Sequence, residues 1–155
     1  MKKPDLVYVT FIATTPEKLW QALVDPKLAR QYWLGLDADS LSHENVSDWK
    51  PGSRWEHRRG DSAGTVDIAG KVVEHNPPRR LVLSWARPGE FDDESKHSRV
   101  TFEIEPRSSG VVRLTVIHDG LEADPKMLAG VSSGWPAVLS QLKTFLETGR
   151  ALPRG

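Results

Sequence analysis

Five histidines, at positions 43, 57, 75, 97 and 118, are the side chains of this sequence that change charge near neutral pH. Each could act as a general acid or base, or as a polar anchor for a ligand. Alternation decides which face inward. In SRWEHRR (53–59) His57 shares a face with Trp55, and in VVRLTVIH (111–118) His118 shares a face with Leu114 and Val116. Two imidazoles pointing inward from different strands could hold a polar group or exchange a proton with it. The plainer alternative is one satisfied hydrogen bond for each inside a core. No metal centre is expected, because no two histidines stand at i, i+2 or i, i+4 and no carboxylate accompanies them on the same face. Gly70-Lys71 is followed by valine, so Gly60, Gly64 and Gly70 read as turn residues rather than a phosphate loop. Ser84 and Ser98 lack a Gly-x-Ser-x-Gly setting. No catalytic residue and no cofactor is assigned.

Tryptophan is the most informative residue type, with six in the chain. A fully buried indole removes ~150–250 Å² from water, worth up to ~4–6 kcal/mol at 25 cal/mol/Å². Simple core packing is one role. The other is a cavity wall of Trp33, Trp55, Trp85 and Trp135 that contacts a flat or apolar ligand, with His57 and His118 as polar anchors and Phe102 and Leu139 on the same inner surface. An empty cavity of ~300 Å³, the low end of ligand pockets, would cost ~7 kcal/mol. That is comparable with the ~5–15 kcal/mol stability of a whole domain. Such a space should therefore hold a ligand, ordered water or the rings themselves.

The elements that position these residues follow from periodicity. Residues 6–13 alternate as a strand. Thr15-Pro16-Glu17 opens a helix with a cap, a proline at N1 and an acid in the first turn; Asp25-Pro26 repeats the device for a second short helix to about Trp33. A short strand is expected near 36–42, then a loop through HENVSDWKPG. Residues 53–119 read as successive strands joined by short turns, which makes them mostly antiparallel. The segment RPGEFDDESK between two of them reads as a solvated acidic loop.

GWPAVLSQLKTFLETG (134–149) is the clearest helix. Trp135, Val138, Leu139, Leu142, Phe145 and Leu146 fall on one face, and Gly149 suits a left-handed C-terminal residue. Ser132 or Ser133 is the expected N-cap. That places Pro136 in the first turn, where a missing N–H loses nothing, and makes the helix ~21–24 Å long. One apolar stripe with a polar back must cover the open face of the sheet.

At 155 residues the chain is read as one domain over 1–150 with a short tail at 151–155. Lysine plus arginine and aspartate plus glutamate both number 21, so bulk charge favours neither nucleic acid nor an anionic membrane. No run approaches the ~20 apolar residues of a membrane span. The start, MKKPDLVYVTFIA, superficially resembles a signal peptide, but Pro4 and Asp5 interrupt it and the rest alternates. The absence of cysteine fits a reducing compartment, and a cytoplasmic location is expected. Arg54, Arg58 and Arg59 form a small basic stripe read as outer-face decoration or a partner site.

The order strand, two short helices, about six strands, long helix is an α+β arrangement that resembles the helix-grip fold of the START-like (SRPBCC) superfamily. FIATTPEKLWQALVDPKLARQYW (11–33), KPGSRWE (50–56), AGKVVEHNPPRRLVLSW (69–85), SRVTFEIEP (98–106), VVRLTVIHDGL (111–121) and the last helix resemble one branch, the family named after the activator of the heat-shock protein 90 ATPase. Gly52-Ser53-Arg54-Trp55 replaces that family's usual double glycine and aromatic, and Pro136 follows the Gly-Trp of the last helix where the family usually has no proline. The resemblance implies a curved antiparallel sheet wrapped on the C-terminal helix with a hydrophobic space between them. Fold does not select among the carriers, sensors and enzymes of this superfamily; the Trp-rich inner surface, with His57 and His118 as polar anchors, points to a binding module for a hydrophobic or aromatic small molecule. The alternatives are an enzyme (cyclase, dehydratase or hydrolase) using a cavity histidine, and a chaperone-associated or other interaction module.

Overall fold

A computed structural model describes residues 5–155; Met1–Pro4, the start of the segment compared with a signal peptide, lie outside the described residues. The elements are β1 (Leu6–Ile12), α1 (Pro16–Val24), α2 (Pro26–Tyr32), β2 (His43–Val46), β3 (Arg54–Arg59), β4 (Val66–Asn76), β5 (Arg80–Trp85), β6 (Ser98–Ser108), β7 (Val111–Asp119) and α3 (Pro125–Thr148). The seven strands form one curled sheet in the order β1-β7-β6-β5-β4-β3-β2, with every neighbouring pair antiparallel. The α1–α2 pair carries the chain between the two sheet edges, so β1 and β2 end up on opposite sides. The helix grips the concave face, as the α+β helix-grip expectation requires.

Both short helices start as their sequences dictate. Thr15 accepts from Lys18 N at 3.2 Å, and Asp25 closes α1 through its own N–H while its carboxylate accepts from Lys27 N at 2.9 Å. Between sheet and helices the core is dense: Ile12, Leu19, Trp55, Leu81, Val100, Leu114 and Leu142 are essentially sealed from solvent. No helix among the described residues is long and apolar enough to cross a membrane.

Two expectations are corrected. The strand expected near 36–42 is instead His43–Val46, inside the segment read as a loop. It pairs with β3 through Asn45↔His57. The polar stretch HENV gives little strand signal, and its pairing with β3 decides its state. The last helix starts nine residues before Gly134, at Pro125, with Asp124 accepting from Met127 N at 3.0 Å as its N-cap. Its 24 residues make it ~36 Å long. Pro136 therefore sits in the interior, where it leaves the Ser132 carbonyl without its helical N–H. The Tyr8 hydroxyl approaches that carbonyl at 3.5 Å. The basic stripe is also quenched: Arg54 and Arg58 pair with Glu56, and Arg59 with Asp67.

Candidate functional site

Four rings form a closed circuit at one end of the concave face. Trp33 at the end of α2 meets His57 of β3 at 5.0 Å between ring centroids, His57 meets Trp85 of β5 at 5.9 Å, Trp85 meets Trp135 of α3 at 5.8 Å, and Trp135 returns to Trp33 at 5.7 Å. An open-mouthed cavity of about 260 Å³ lies against this circuit. Ile68 and the α3 residues Met127, Gly130, Val131, Gly134 and Val138 complete its apolar wall, with Arg87 and Lys126 also on its lining. A Cβ built on Gly130 or Gly134 would meet nothing within 4 Å, so the two glycines keep that wall thin. A second cavity of about 530 Å³ shares Trp33, His57, Gly134 and Val138 with the first and extends under residues 34–41 to His43.

The other expected ligand contacts stand behind this lining. Trp55 is 1% exposed and packs under Trp85 at 5.5 Å. Its indole N–H donates to the Ser84 carbonyl at 2.7 Å by crossing Gly70, whose hydrogen leaves the room; a Cβ there would stand 1.9 Å from that carbonyl oxygen. Phe102 supports Trp135 from β6 at 5.9 Å, and Leu139 is buried in the helix–sheet core. His118 is fully buried beneath Trp135. The interior is thus filled at its centre and open at one end.

The sequence pattern of the family described as activator of Hsp90 ATPase homolog 1-like protein matches residues 13–147. The chain belongs to this family. Among solved structures, a Mesorhizobium loti protein superposes with a TM-score of 0.65 at 25% identity, covering 91% of this chain and 96% of that one. The Aha1 dimer from Colwellia psychrerythraea gives 0.71 at 20% identity over 94% and 98%. An HSP90 activator from Plasmodium falciparum gives 0.69 at 20% identity over 91% and 94%. No curated protein matches the chain.

In this member of the Hsp90-activator-like family, the two inward histidines are held neutral by their surroundings. The Trp135 indole donates to His118 Nδ1 at 3.0 Å, so Nε2 carries the proton and donates to Ser98 Oγ at 2.8 Å. Ser98 in turn donates to the Trp85 carbonyl at 3.2 Å. A second proton on His118 would face the indole N–H, and burial pushes its pKa down to about 4. His57 donates from Nδ1 to Asn45 Oδ1 at 2.7 Å, an orientation fixed by the Asn45 amide donating to the Leu23 carbonyl at 3.4 Å. Burial, with His43 stacked at 4.3 Å and only 2° from parallel, pushes its pKa down to about 3. Nε2 is then an acceptor with no hydrogen-bond partner among the described residues.

Two polar features escape a one-dimensional reading. His43 Nε2 lies 2.8 Å from Asp67 Oδ2, and Arg59 donates to both oxygens of the same carboxylate. That carboxylate reaches His43 from β4, across the one intervening strand β3, so no local spacing announces it. The Trp85 indole N–H is a buried donor without an acceptor among the described residues, at a typical cost of ~1–3 kcal/mol. Among the described residues, no three His, Cys, Asp or Glu side chains gather into a metal-binding group.

Proposed function

We propose that this protein is a binding module for a small apolar or aromatic molecule held between the sheet and the first half of α3. The observation that carries the reading is the four-ring circuit facing an open apolar cavity whose helical wall is thinned by Gly130 and Gly134. Rings offer stacking surface, and His57 Nε2 offers one acceptor to orient a ligand. A cytoplasmic site of action fits the absence of cysteine. A ligand at ~100 times its dissociation constant adds ~2.7 kcal/mol, which raises melting by about 5–10 °C for a chain of this size. Aromatic compounds that stabilise the wild type and not Gly134→Leu support the reading. Stabilisation that survives Gly134→Leu would move the binding elsewhere and end it.

A chaperone-associated role is a second reading, supported by the family and by the fold shared with the Plasmodium falciparum HSP90 activator. Stimulation of a purified Hsp90 ATPase by this protein supports it; binding and rate both unchanged at saturating concentration remove it. In a catalytic reading of the cavity the acid–base group passes from His57 and His118 to His43, whose Nε2 is anchored on Asp67 and which lines the second cavity. Aryl esters test this: hydrolysis abolished by His43→Gln favours it, and hydrolysis indifferent to that change rejects it.

A further inference from the structure

We propose that the cavity against the ring circuit selects a small aromatic acid, with its ring on the indoles and its anionic head at the mouth near Lys126 and Arg87. This rests on the small-molecule reading above and adds a charge preference to it.

The lining is electrostatically one-sided. Arg87 and Lys126 are its charged residues, and no aspartate or glutamate among the described residues lines it. His57, its remaining ionisable group, is locked as a neutral ring by Asn45 and by burial. The two cations differ in what they have left to offer. Arg87 is tied to both oxygens of Asp124, one of them at 3.3 Å, and reaches Glu90 at 3.5 Å. Its charge is compensated and its position fixed. Lys126 is exposed in the first turn of α3 and has no ion pair among the described residues. Asp124 already caps the helix and neutralises Arg87, so among the described residues Lys126 is the cation at this mouth without a carboxylate.

Position matches the charge. Lys126 precedes Met127 and stands one helical turn before Gly130, both of which line the same cavity. A ring seated on Trp85 and Trp135 would project a substituent along α3 toward its N-terminal turn, where the ammonium is. A neutral ring gains the stacking without this contact, and a cationic ring would meet the uncompensated ammonium of Lys126. An exposed lysine gives a modest, salt-sensitive contribution, so it sets preference rather than overall affinity.

Two dyes with the same aromatic framework separate the claims: 8-anilinonaphthalene-1-sulfonate, an anion, and N-phenyl-1-naphthylamine, which is neutral. Each is titrated by fluorescence into wild type, Lys126→Glu and Gly134→Leu, at low and high salt. Both dyes should bind the wild type, and Gly134→Leu should weaken both. Lys126→Glu should weaken the sulfonate about fivefold and leave the neutral dye unchanged, and high salt should do the same. Equal effects of Lys126→Glu on the two dyes, or none, overturn the charge preference and leave the cavity reading standing. Binding of both dyes that ignores Gly134→Leu, or no binding of either, overturns the cavity reading and the preference with it. Lys126 is exposed and its replacement should fold; a melting curve checks this.

Discussion

At the scale of single residues, the buried histidines are better understood as structural donors and acceptors than as acid–base groups. His118 links three elements: it takes a hydrogen bond from Trp135 and passes one to Ser98, which continues to the Trp85 carbonyl. Trp135→Phe removes the indole N–H and leaves His118 Nδ1 unsatisfied, which should cost about 1–3 kcal/mol in urea unfolding on top of lost packing. The pH dependence has a definite sign. Both folded pKa values lie below the ordinary 6.5, so the unfolded chain takes up protons first as pH falls. Stability is complete above about pH 6.5 and is lost on acidification towards the folded values, by about 2 kcal/mol per histidine at pH 5. Denaturation between pH 7 and 5 should show this slope, and His118→Gln should remove about one proton from it. Gly70 is a further test. Its Cβ would collide with the Ser84 carbonyl oxygen, so Gly70→Ala should displace Trp55 and destabilise by about 3 kcal/mol or more.

At the scale of elements, α3 is the least legible in sequence and supplies much of the candidate cavity's wall. The half from Gly134 onward carries a continuous apolar stripe and was legible. The half before it, KMLAGVSSG, mixes glycine and serine, and Ser132 and Ser133 imitate an N-cap. The true signal is Asp124-Pro125, the same cap-and-proline device that correctly marked α1 and α2 at Thr15-Pro16 and Asp25-Pro26. These first turns of α3 supply Lys126, Met127, Gly130 and Val131 to the cavity wall. The inner faces of β3, β5, β6 and β7 were legible because alternation is local. Which rings line a cavity and which support it was not, since that depends on how far α3 runs past the sheet's centre. Pro136 in the helix interior gives the element's own prediction: Pro136→Ala restores an N–H to the Ser132 carbonyl and should stabilise by about 1–3 kcal/mol, read as a shifted urea midpoint at constant slope.

At the scale of the whole molecule, the residues read as a tail tie α3 to the connection between α2 and β2. Leu152 N donates to Gln141 Oε1 at 2.6 Å, and the fully buried Gln141 amide donates to the Gly35 carbonyl at 3.4 Å. Arg154 donates to the Ser40 carbonyl at 2.8 Å and Gly155 N to the Leu36 carbonyl at 3.2 Å. The segment thereby holds residues 35–40 over the second cavity. Ending the chain at Arg150 should speed amide exchange in residues 34–41 while leaving β6 and β7 protected. The fold then reads as a dense centre with a thin corner, where the curled sheet, two short helices and a long third helix leave a cavity open against the ring circuit. Indole N–H signals in a nitrogen–proton correlation spectrum report on that corner most directly. On titration with an aromatic ligand, the signals of Trp33, Trp85 and Trp135 should shift together, while those of Trp20, which packs on His75, and Trp49, whose indole donates to the Val24 carbonyl at 3.1 Å, stay in place because neither lines the two cavities. Shifts confined to Trp20 or Trp49, with the other three unmoved at saturation, would contradict the assignment of the ring circuit as the binding site.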